Sequence, residues 1–133
     1  MKQFLVVLCT FALVSLAVSG FAAEKAAKSM GGHVAAGAKN GTWKGEVLDA
    51  GCYLQSGNTG EKHKECALKC AANGMPLMLL VGQKAFLLTP NHDNADPYNQ
   101  LKTLAGSMVE VTGVMAERGG VSGIDVTGAK AAK

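Results

Sequence analysis

The chain has 133 residues, of which 17 are Gly and only 3 Pro; 17% are charged, 5% aromatic and 48% apolar. These proportions exclude a disordered chain, a collagen-like repeat and a large multidomain enzyme, and leave room for one small domain. The formal charge of +3 is spread evenly and speaks against nucleic acid as a partner.

The chain opens on Met1-Lys2-Gln3, a short positive start. Phe4 to Val18 is then apolar apart from Thr10 and Ser15, and Gly20-Phe21-Ala22 supplies small residues for cleavage after Ala22. This is the pattern of a secretory signal peptide over residues 1–22, and it predicts a periplasmic or secreted protein with no membrane span after cleavage. The apolar run is shorter than the ~20 residues of a spanning helix. Export changes the meaning of the cysteines. Cys9 leaves with the signal, and Cys52, Cys66 and Cys70 remain. In an oxidising compartment an odd number cannot all pair within one chain.

Residues 23–40 read as a flexible Ala/Lys/Gly tail, in which His33 is a bystander. The barrel domain is expected over residues 41–128, with a basic fringe over 129–133. Thr42 to Leu54 is strand-like, bent at Gly45 and Gly51. Thr59 to Ala72 is helical, with Thr59 as N-cap and Asn73-Gly74 as its stop. Leu77 to Val81 and Ala85 to Thr89 form a hairpin around Gly82-Gln83-Lys84. Asp96-Pro97 opens a second helix as N-cap and first residue. Met108 to Glu117 and Val121 to Thr127 alternate around Arg118-Gly119-Gly120. Val109, Val111, Ile124 and Val126 should face inward, with Glu110, Thr112 and Asp125 on the opposite faces.

Five short strands, with a helix after strand 1 and another between strands 3 and 4, predict a mainly β, OB-fold-like barrel. Another small α+β meander is the alternative. The segments Gly-Glu-Val-Leu-Asp-Ala-Gly-Cys-Tyr-Leu (45–54), His63-x-x-Cys66-Ala67-x-x-Cys70, Gly74-x-Pro76 and Val109-Glu110-Val111-Thr112-Gly113 together resemble a group of small, uncharacterised exported bacterial proteins with an OB-like barrel. The resemblance implies that fold and compartment, and no particular activity. Periplasmic copper chaperones built on small OB barrels offer an analogy only. Trp43, Met75 and Met78 are present, but the Trp-x-x-Met-x-Met run of those proteins is not.

On a helical wheel His63, Cys66 and Cys70 share one face, which should look inward, while Lys62, Lys64, Glu65 and Lys69 take the other. Cys52 comes from the end of the first strand and should lie close. Cys66 and Cys70, at i and i+4, can pinch one ion from a single helix, and Cys52 can cap it. His63 is the weaker fourth ligand, since seven residues of helix rise ~10 Å. A thiolate-rich set suits Zn(II) or Cu(I) rather than Mg or Ca.

Three functions fit these residues. The first is an exported metal-binding protein that carries, buffers or senses Zn(II) or Cu(I). The second is a module stapled by a Cys52 disulfide, whose barrel face binds an envelope protein. The third is a thiol-redox protein using the unpaired cysteine. No catalytic residue is expected. There is no Cys-x-x-Cys-His for haem, no Cys-x-x-Cys and no nucleotide-binding glycine loop. His92 and Asp93 read as part of a solvated turn. The leader makes one prediction: N-terminal sequencing of envelope material should start at Ala23, and recovery of Met1 would overturn export and the oxidising-compartment argument together.

Overall fold

The computed structural model describes residues 37–133; the signal segment over residues 1–22, most of the 23–40 stretch and His33 lie outside the described residues. Five strands close into a barrel in the order β1-β2-β3-β5-β4. They are β1 (Lys39–Asp49), β2 (Leu77–Val81), β3 (Lys84–Pro90), β4 (Met108–Arg118) and β5 (Val121–Ala131). Every neighbouring pair is antiparallel except β3 and β5, which run parallel. That order, with a helix between β3 and β4, is the OB-type Greek-key barrel that the sequence predicts.

Alternation carries the core. Val109, Val111, Ile124 and Val126 are all buried, whereas Thr112 on the outer face is exposed. Glu110 and Asp125 are half-buried on that face, where Glu110 meets Lys130 at 2.8 Å and Asp125 accepts from Asn91 at 2.9 Å. Strand β5 carries on through Gly128 to Ala131, pairing Ala131 with Val109, where composition predicts a basic fringe. At the other end β1 starts at Lys39, inside the stretch expected to be a tail. Backbone pairing to β4 orders both segments despite their low side-chain content.

The first strand serves two neighbours. Its residues up to Glu46 pair with β4, and those from Glu46 to Asp49 pair with β2. Gly45 sits at this changeover, where a Cβ would collide with the Leu80 carbonyl oxygen. The strand then stops at Asp49, five residues earlier than its apolar pattern predicts, and turns into helix α1 (Ala50–Ser56). A 3-10 turn (Glu61–His63) and helix α2 (Lys64–Ala72) follow, so the β1–β2 connection holds two helices where one was expected. Gly60 rather than Thr59 precedes the turn, with no side-chain cap. The third helix, α3 (Asp96–Lys102), places Leu101 in the core and starts at Asp96, with Ala95 in the cap position.

One loop fixes where α2 sits. The Gly106 N–H donates to the Val47 carbonyl at 2.7 Å, and the Val47 N–H donates to the Ser107 carbonyl at 3.0 Å. Gly106 is buried at φ +75°, and a Cβ there would come within 2.6 Å of the Lys64 Cα. Gly106→Ala should therefore lower the denaturant midpoint more than Gly119→Ala, which sits at φ +59° in open space. The Gly119 change costs only the left-handed backbone term of about 1–2 kcal/mol. Equal losses in the two variants would show that α2 does not rest on the Gly106 loop.

Candidate metal centre

Residues 50–76 form one excursion from the barrel, and its stem is the register pair Asp49↔Leu77. The Ala50 N–H donates to the Pro76 carbonyl at 2.9 Å, closing the stem. All four residues singled out from sequence, Cys52, His63, Cys66 and Cys70, lie on this excursion.

Asp49 organises it. Its side chain is only 1% exposed, yet it is fully partnered. Oδ1 accepts the Cys52 N–H at 2.9 Å and so caps α1, while Oδ2 lies 3.0 Å from His63 Nε2. Burial alone would push the carboxyl up. The Cys52 N–H, the His63 ring and the Cys52 thiol together hold it below the usual aspartate range. Helix α1 then ends at Gly57, whose left-handed backbone lets its N–H reach the Tyr53 carbonyl. Cys52 thus stands on a short capped helix and not on the strand end.

Helix α2 supplies the other two thiols, though not from its innermost face. Ala67 and Ala71 are the buried pair; Cys66 is exposed and Cys70 half-buried. The wheel points the cysteines at the barrel, but the smaller alanines take that contact. Cys66 and Cys70 are thereby turned to the flank, where Cys52 meets them. Cys52 Sγ and Cys66 Sγ are 4.0 Å apart, and all three sulfurs lie within 4.8 Å of one another. Two sulfurs bound at about 2.3 Å to a tetrahedral ion stand about 3.8 Å apart. The three thiols are spaced to hold a metal ion with small adjustments.

His63 goes elsewhere. With Asp49 and Cys52 it forms a second group, again within 4.8 Å, and the two groups share only Cys52. His63 precedes α2 in the 3-10 turn, and its side chain is 14% exposed. Asp49 is the residue that sequence reasoning missed. Its signal was a helix-capping acid directly after the apolar pair Val47-Leu48. His92 is exposed and joins neither group; its loop is held by Asn91 Oδ1, which accepts from the Asp93 N–H at 3.0 Å and the Asn94 N–H at 3.3 Å.

The electrostatics disfavour the thiolate at two of the three cysteines. Burial, the Asp49 carboxylate and the Cys66 thiol push the Cys52 thiol up to about 12. Burial and the same two neighbours also push Cys70 up. A reactive redox thiol needs the opposite shift. A bound cation reverses the balance, because its charge favours the thiolate.

No protein-family model, characterised protein or solved structure matches the chain. Among the described residues, no helix is long and apolar enough to cross a membrane.

The folded carboxyl of Asp49 lies below its unfolded value, so its ionised form stabilises the fold above about pH 4. That contribution should vanish as pH falls through the lower folded value. Asp49→Ala should cost about 1 kcal/mol or more from the lost cap, whereas Asp49→Asn should keep the cap and flatten the acid limb of stability against pH. Acid unfolding unchanged in both variants would remove Asp49 from its organising place.

Proposed function

We propose that the protein is an exported metal-binding protein in which Cys52, Cys66 and Cys70 hold a thiophilic ion, Cu(I) or Zn(II), for carriage, buffering or sensing. The observation that carries this reading is the convergence of three free thiols, one exposed and two half-buried, within 4.8 Å. A soft cation uses all three, whereas a disulfide leaves one idle. The exposed Cys66 gives an incoming ion its first ligand, and the half-buried pair completes the set away from bulk water. Release of the Cys52 and Cys70 protons makes uptake favourable at higher pH.

Export is supported by the apolar Phe4–Val18 stretch and the small residues around Phe21. A small carrier of this kind would pass its ion to an envelope protein by exchange of thiolate ligands at the exposed Cys66.

Cu(I) is the sharpest probe, because it selects sulfur over oxygen. The reduced protein should bind Cu(I), and Cys66→Ser should weaken that binding by more than about tenfold. His63→Ala should leave it unchanged. Alkylation of the unfolded, metal-free protein should mark all three thiols without reduction. One alkylated thiol before reduction and three after, with no Cu(I) bound, would replace this reading by the disulfide-stapled interaction module.

A further inference from the structure

The cluster has more donors than one ion can use. Two ligands of the same ion cannot lie farther apart than the sum of their bonds, about 4.6 Å for two sulfurs. Asp49, Cys52 and His63 offer atoms within 4.8 Å of one another, a small adjustment from that limit, and so do Cys52, Cys66 and Cys70, but the five donors do not close into one such group. Cys52 stands between the two sets.

We propose that the excursion holds two ions that share the Cys52 thiolate: one in the all-sulfur position, and a borderline divalent ion such as Zn(II) between Asp49, Cys52 and His63. This deepens the metal-binding reading above and rests on it for the first position only.

The second set has the chemistry of a zinc position. It offers one carboxylate oxygen, one imidazole nitrogen and one sulfur, the ligand types that Zn(II) accepts in tetrahedral sites. Oxygen and nitrogen ligands at about 2.0–2.1 Å on a tetrahedral ion stand about 3.3 Å apart, and Asp49 Oδ2 and His63 Nε2 are already 3.0 Å apart. An ion would replace the proton that now joins them. Oδ1 would stay on the Cys52 N–H, so the cap on α1 survives metal uptake and orients the ligating carboxylate.

The second set also explains the distribution of burial. Asp49 is buried and His63 half-buried, whereas Cys66 is exposed. The mixed position is the enclosed one and the all-sulfur position the accessible one. The enclosed ion would brace the stem of the excursion, and the outer one would exchange.

The test is ion counting by native mass spectrometry on the reduced protein, with Zn(II) as the probe and Co(II) as its spectroscopic substitute. Wild type should take about two ions per chain. The Cys66→Ser/Cys70→Ser double variant should keep about one, with a Co(II) spectrum of a single thiolate. His63→Ala should also keep about one, now with a thiolate-rich Co(II) spectrum. Asp49→Asn, which retains the helix cap, should behave like His63→Ala and decides the matter if the His63 variant fails to fold. Cys52→Ser should weaken both positions. A wild-type count of one overturns the shared-thiolate proposal. If that ion is lost in the double serine variant and unaffected by His63→Ala, the all-sulfur reading stands alone. A double serine variant that binds as many ions as wild type sinks the all-sulfur reading instead.

Discussion

The carboxylate of Asp49 is the point on which the excursion from this barrel depends. It occupies the last rung of β1, paired with Leu77 at the start of β2, and it is almost wholly buried. A buried carboxylate is tolerated only when its oxygens are partnered. Here each partner belongs to the excursion: the Cys52 N–H at the start of α1 and the His63 ring just before α2. One side chain therefore caps α1 and ties it to the turn that leads into α2. Without it, α1 is a seven-residue helix with no intrinsic reason to persist.

From that anchor the sulfur cluster follows by geometry. Capping at Asp49 sets Cys52 on the third residue of α1. Gly106 seats the start of α2, and the buried Ala67 and Ala71 set its rotation, so Cys66 and Cys70 turn toward Cys52. The barrel contributes rigidity and a stem, and the chemistry lies outside it. Burial and the Asp49 charge push the thiols of Cys52 and Cys70 up, since they oppose a second negative centre. A bound cation would relieve that opposition, because its charge favours the thiolate. The same negative neighbour that disfavours a bare thiolate at Cys52 and Cys70 would favour a cation beside it.

The architecture was legible in the sequence because the barrel strands alternate cleanly. Val109, Val111, Ile124 and Val126 fix the register of two strands, and the Gly82 hairpin and the Asp96-Pro97 helix start delimit the rest. The three thiols were legible too, from the i, i+4 spacing of Cys66 and Cys70 and the short distance in sequence to Cys52. Less of the excursion could be read. Ala50 to Ser56 contains Gly51 and Tyr53 and gives no helical period, so its helix comes from the Asp49 cap and the left-handed Gly57. The facing of α2 is not legible from a wheel, because Ala and Cys are both small and spacing does not say which of them meets the barrel. Distance along a helix does not locate His63, because α2 starts only after it. Its association with Asp49 is a tertiary contact between residues on different elements, which periodicity cannot register.

X-ray absorption at the copper edge of the reduced protein carrying one Cu(I) addresses the central claim directly, since it identifies the atoms bound to the ion. The account predicts a shell dominated by sulfur, with the sulfur contribution falling when Cys66 and Cys70 are both replaced by Ser. A shell of oxygen and nitrogen alone in wild type would contradict it, because no ion would then be held by the three thiols that the fold brings together.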